Sequence, residues 1–135
     1  MTDEDFLVAL ERCELPESEF RHASHVRAAY LYLCRYEFHI ALHRMQTAIR
    51  DYAAHLGKSD KYHETITVAF VVLIRQHLVE RGDAGGWVGF QRDNPELFRK
   101  DLLLQYYSRQ QLESDLARRT FVLPPRESGS AGLCA

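Results

Sequence analysis

The stretch "FRHASHVRAAYLYL", residues 20–33, places His22 and His25 three apart where an apolar helical stripe begins, and "KYHETITVAFVVLI" opens a second apolar run with His63. Imidazole nitrogens ligate zinc, iron, copper, nickel and manganese. Three of them on one metal leave coordination positions open, as a catalytic centre needs and a closed structural site lacks. His22, His25 and His63 are therefore candidate ligands for a divalent transition metal, zinc or iron foremost. Each one alone also has an ordinary explanation, a core imidazole bonded to a backbone carbonyl.

Other chemistry-bearing residues lie near the trio. Glu64 follows His63 as in the zinc-protease motif HExxH, but the second histidine of that motif is replaced by Thr67. Glu64 is a candidate general base, or an acidic residue favouring a helix N-terminus. Arg27 is a candidate contact for an anionic substrate or a member of a surface ion pair, and Tyr62 a candidate substrate contact. Tyr107 is a candidate donor into the pocket, with Tyr106 beside it. His39 and His43 fall on a solvated flank, His55 near the pole of the trio, and His77 far from it.

These residues need elements to position them. A first helix is expected over roughly 3–13, with Phe6, Leu7, Leu10 and Cys13 on one face, ending before Pro16. The second, about 22–36, carries His22, His25, Val26, Ala29, Tyr30, Leu33 and Tyr36 at spacings of three and four, with Ser18 or Ser24 as its cap. The third, about 38–56, has Leu42, Met45, Ile49, Tyr52 and Leu56 in register and stops at Gly57. A fourth begins at His63 and is apolar nearly all round, as a central helix would be; its β-branched run also suits a strand, but its length favours helix.

Beyond "GDAGGWVGF", expected to be flexible or tightly turning, Asn94 and Pro95 suit the start of a short helix, and Ser108 with Gln111 suits a capping box before "RQQLESDLA". The expected fold is all-α: a compact bundle of about four main helices with a less regular C-terminal arm. Helices two, three and four, joined by short links, should be antiparallel neighbours. At 1.5 Å per residue, helices two and three are roughly 20 and 27 Å long, so the chain returns to its starting level and His63 comes near His22 and His25.

Composition excludes several classes. Seventeen basic and 19 acidic residues are interspersed at a formal net charge of −2, which offers no basic stripe for nucleic acid. No segment has the length to span a membrane, and the first residues lack a secretory leader, so a cytoplasmic protein is expected. Cys13, Cys34 and Cys134 make neither a CxxC pair nor an even disulfide set. The 135 residues fit one domain over 1–123, followed by a disordered tail, "PPRESGSAGLCA", over 124–135.

The segments "FRHASHVRAAYLYL" and "KYHETITVAFVVLI", followed by "NPELF", "YYS" and "LPP", resemble a family of small, mostly helical bacterial proteins with FxHxxHVRxAWxxL and KYHETxT motifs. The likeness runs from about Phe20 to Pro125, with Tyr30 in the place of the tryptophan. That family implies no particular activity. The trio is also similar in kind to DinB-like bundles, which hold a metal with three histidines from different helices. Those have a later HxxxH pair where this chain has an early HxxH pair.

The leading expectation is a metal-dependent enzyme acting on a small molecule at His22, His25 and His63, with Glu64 as base and Tyr107 as pocket donor. One alternative is a non-catalytic small-molecule binding module using His25, Arg27 and Tyr107 without metal. The other is a helical interaction protein, a homodimer among its forms, whose histidines are structural.

Overall fold

The computed structural model describes residues 1–126; the rest of the expected tail, and Cys134 with it, lies outside the described residues. Residues 124–126 have neither helical nor strand geometry. Seven α-helices follow in order: α1 Asp3–Glu11, α2 His22–Arg35, α3 Phe38–His55, α4 Glu64–Arg81, α5 Gly86–Asp93, α6 Arg109–Leu112 and α7 Asp115–Arg119. Short 3-10 turns punctuate the links, and no strand occurs among the described residues. The fold is an all-α bundle.

The centre of the bundle is α2, which packs on both α3 and α4, while α3 and α4 also touch each other. Their apolar faces form one core that includes Val26, Tyr32, Met45, Tyr52, Val71 and Ile74, closed on one side by Phe6, Leu7 and Leu10 of α1. Burying each large aliphatic side chain stabilises the fold by about 1.5–3 kcal/mol. The expected stripe of α3 is observed: Met45, Ile49 and Tyr52 are buried, and Leu42 and Leu56 pack against them.

Local chemistry sets the helix ends. Thr2 accepts a hydrogen bond from the Asp5 amide at 3.0 Å, and Asp5 accepts one from the Thr2 amide at 3.3 Å, a reciprocal start to α1. Cys13, expected within that helix, lies past its end at φ 58°. Neither serine caps α2 in the expected way; Ser24 sits inside its first turn, accepting from the Arg21 amide at 3.3 Å and donating to the Glu19 carbonyl at 2.7 Å. Gly57, at φ 71°, turns the chain out of α3.

Three expectations change beyond α4. The glycine-rich segment turns tightly through Gly82 and Gly86, at φ 74° and 64°, one of its two expected forms, but from Gly86 it continues as the helix α5. Trp87 and Phe90 of α5 then pack on Tyr30 of α2, with ring centres 5.4 and 4.7 Å away, and this burial outweighs the poor helix propensity of glycine. Asn94 and Pro95 do open a short helix, the 3-10 turn Pro95–Phe98, but the Asn94 side chain makes no cap bond to it. That side chain is wholly buried, donating to the Phe90 carbonyl at 2.8 Å and accepting from Arg81 at 2.9 Å and from His77 Nδ1 at 2.7 Å. The segment "RQQLESDLA" is broken into α6 and α7, because Ser114 starts a new helix by accepting from the Ala117 amide at 3.1 Å. Ser108 caps α6 as expected, accepting from the Gln111 amide at 3.0 Å. The Gln111 side chain turns away and donates to the Leu123 carbonyl instead.

Candidate functional site

A cavity of about 340 Å³ opens where the N-terminal turns of α2 and α4 meet α3, and His22, His25 and His63 all line it. Its floor is apolar and buried, with Val26, Ala29, Met45, Ile49 and Val71. The exposed side chains of Arg21, Lys61 and Lys100 stand at its rim. Among the described residues, no aspartate or glutamate lines it.

The antiparallel run of α2, α3 and α4 brings the three imidazoles to one cavity, and their hydrogen bonds then fix what each can offer. His22 Nε2 lies 2.9 Å from the Leu97 carbonyl, and His25 Nδ1 lies 3.1 Å from the Arg21 carbonyl. A carbonyl oxygen only accepts, so each of these nitrogens carries the proton and the other nitrogen of the ring keeps its lone pair. His22 is thus left with Nδ1 and His25 with Nε2. The His22 ring also meets Phe70 edge-on, at 4.9 Å between centres, and His25 lies against Phe20 at 4.3 Å.

His63 differs. It caps α4: its Nδ1 accepts from the Ile66 amide at 3.1 Å, and its Nε2–H donates to the Leu112 carbonyl at 2.6 Å. Both nitrogens are therefore engaged. As bonded, the trio supplies two lone pairs, no carboxylate adds a third ligand, and a three-nitrogen metal centre does not fit this arrangement. Among the described residues no group of three or more His, Cys, Asp or Glu side chains is assembled to hold a metal ion.

Burial in the cavity wall holds His25 below the ordinary histidine range, opposed by its bond to the Arg21 carbonyl and reinforced by neighbouring His22. It is a neutral imidazole, with its lone pair available, at neutral pH. His25 thus combines a free lone pair with a lowered proton affinity, the condition of an unprotonated base or acceptor.

Tyr62 lines the cavity and Glu64 stands behind it, outside the lining. The Tyr62 hydroxyl donates to Glu64 at 2.6 Å, and the same carboxylate accepts from Gln46 at 2.9 Å and Arg50 at 3.2 Å. The Arg50 guanidinium also lies over the Tyr62 ring, 4.9 Å from its centre. Burial, then the bond to Glu64, raises the Tyr62 phenol above the ordinary tyrosine range. Glu64 thus anchors Tyr62 and ties α3 to α4, and its carboxylate, expected as a base, is held by Tyr62, Gln46 and Arg50 outside the cavity lining.

The remaining two expected residues lie elsewhere. Arg27 turns toward α1, where it pairs with Asp3 at 2.6 Å and covers the Phe6 ring at 4.6 Å. It is absent from the cavity lining, as the ion-pair alternative expected. Tyr107 is buried in a separate small cluster with Ala69 and Leu103, and its hydroxyl donates to the Val122 carbonyl at 2.8 Å. His39, His43 and His55 are exposed, and His77 bonds to Asn94 far along α4.

Sequence reasoning passed over the rim cations. Arg21 and Lys61 adjoin His22 and Tyr62 in the chain, so their proximity was available as a signal. Lys100 follows the 3-10 turn Pro95–Phe98, and only the docking of that turn against α2 and α4 brings it to the cavity. No helix is long and apolar enough to cross a membrane among the described residues. Comparison with known proteins finds no matching family model, no matching curated protein and no matching solved structure.

Proposed function

We propose that the protein binds a small organic anion with an apolar body in the cavity between α2, α3 and α4. The observation that carries this reading is the lining itself: Arg21, Lys61 and Lys100 over an apolar floor, with no carboxylate, in a chain of formal net charge −2. A cavity of this size suits a small molecule, and a local excess of cations with low-dielectric walls concentrates anions. The lone pairs of His22 Nδ1 and His25 Nε2 favour a ligand that also carries a hydroxyl or amino donor. Where that donor is to be deprotonated, His25 is the base best suited to it.

Calorimetric titration with matched carboxylic acids and their primary amides tests this. The carboxylates are expected to bind about tenfold or more tightly than the amides, as one ion-pair contribution would give. An Arg21→Gln, Lys61→Gln variant is expected to abolish the preference. Equal binding of acid and amide by the parent protein would sink the proposal.

A metal-dependent enzyme at His22, His25 and His63 is the second reading, favoured by the sharing of one cavity by all three. It requires His63 Nδ1 to release the Ile66 amide, while the Nε2–H bond to the Leu112 carbonyl can remain and orient the ring. Multi-element metal analysis of protein purified without chelator, beside a His22→Ala variant, separates it from metal-free binding. A stoichiometric metal lost in the folded variant would restore the metal centre.

A further inference from the structure

A second cavity, of about 390 Å³, adjoins the first, and four residues, His63, Ile66, Phe70 and Lys100, line both. Its remaining wall comes from the C-terminal arm, including Arg109 of α6 and Arg118 of α7. Leu112, whose carbonyl receives the His63 bond, lines it as well. The two spaces are therefore neighbours across the His63 ring and one face of α4.

We propose that the second cavity is an anion subsite continuous with the first, so that the ligand is an elongated molecule with an anionic group at each end and an apolar middle. This rests on the anion-binding reading of the first cavity. The charges carry it. Arg21, Lys61, Lys100, Arg109 and Arg118 line the two cavities, and not one of them makes a salt bridge among the described residues. They fall into two sets: Arg21 and Lys61 line the first cavity, Arg109 and Arg118 the second, and Lys100 both.

Two carboxylates line the second cavity, and they do not cancel this charge. Asp101 is already held by Arg99 at 3.3 Å. Glu113 offsets one of the three cations and leaves the cavity positive. Arg118 donates to the Asp60 carbonyl at 3.2 Å, which fixes the guanidinium without neutralising it. Between the two charged ends the shared wall is apolar: Ile66 and Phe70 lie one turn apart on α4. His63 to Phe70 covers roughly 10 Å along α4 at 1.5 Å per residue, the extent of this shared wall.

The test is calorimetric titration with a series of α,ω-dicarboxylates of increasing chain length, each beside its monomethyl ester. One length is expected to bind about tenfold more tightly than its ester, the worth of one added ion pair in a partly desolvated site. An Arg109→Gln, Arg118→Gln variant is expected to lower dicarboxylate affinity to that of the ester and leave ester affinity unchanged. Among the described residues Arg109 makes no side-chain hydrogen bond, so Arg109→Gln alone supplies a variant with little risk to folding and is expected to give part of the loss.

Equal affinity of diacid and ester at every length, or a diacid advantage that survives in the double variant, overturns the second subsite while leaving the first cavity's function intact. Binding of neither diacid nor ester overturns both readings together.

Discussion

The imidazole of His63 is bonded to the carbonyl of Leu112 at 2.6 Å, across 49 residues of chain. With the Ile66 amide on its other nitrogen, this ring is the cap of α4, the anchor of the C-terminal arm and a lining residue of both cavities. His63→Ala removes a helix cap and a long-range hydrogen bond. The expected loss of stability is about 1–3 kcal/mol, read from urea denaturation. His63→Asn, which can still cap, should recover part of that loss, and an unchanged denaturation midpoint in the alanine variant would refute the structural role.

Thr65 is the buried clasp of the same region. Its hydroxyl donates to the Thr120 carbonyl at 2.9 Å and accepts from the Val122 amide at 3.1 Å. Thr65→Val keeps the shape and leaves both backbone groups without their partner, at an expected cost of about 2–3 kcal/mol. Hydrogen exchange at Val122 should accelerate selectively. A uniform change over the whole chain, with no excess at Val122, would contradict a local clasp.

Glu64→Gln is expected to lower the Tyr62 phenol toward the ordinary tyrosine range, because part of its elevation comes from the neighbouring carboxylate. Ultraviolet difference titration measures it directly. Loss of the Arg50 pair should add a modest destabilisation of about 0.5–1 kcal/mol, since Arg50 is largely exposed. A Tyr62 titration identical in parent and variant would show that the bond does not persist in solution.

For His25 the pH dependence has a definite sign. Its affinity for a proton is lower in the folded protein than in the unfolded chain, so unfolding is accompanied by proton uptake at mildly acid pH. The contribution of His25 to stability is unimpaired above the ordinary histidine value of about 6.5. It declines as pH falls through that value and levels off below the depressed native one. A His25→Gln variant should therefore lose less stability than the parent on going from about pH 7.5 to about pH 5.5. Parallel stability curves would contradict the depression.

The parts of the molecule that were legible in the sequence share a physical character. α1 to α4 announce themselves because apolar residues recur at helical spacing, and the meeting of His22, His25 and His63 follows from short links between antiparallel helices. The engagement of those histidines was not legible. His22 and His63 bond to the backbone of Leu97 and Leu112, and a carbonyl carries no signature in the side-chain sequence. The same holds for Tyr107, satisfied by the Val122 carbonyl, whereas for Arg27 a surface ion pair is one of the two sequence readings and the fold supplies Asp3 as its partner. Asn94 stands at the start of the short helix that Pro95 opens, as its chemistry suggests, but only its burial between α4 and α5 shows where its side chain bonds. α5 was missed because its helix is imposed by the packing of Trp87 and Phe90 on Tyr30, against the preference of its glycines.

The bonds joining the arm to the core bear on the order in which the protein assembles. His22 to Leu97, His63 to Leu112 and Thr65 to Thr120 close loops of 75, 49 and 55 residues, whereas α2, α3 and α4 meet through short links. Closing long loops costs more chain entropy before contacts repay it, so the three-helix core is expected to consolidate first and the arm to dock onto it. The second cavity exists only after that docking, when Arg109 and Arg118 reach the face of α4. A ligand bridging both cavities would then act as a latch on the final folding step, slowing release of the arm while leaving consolidation of the core untouched.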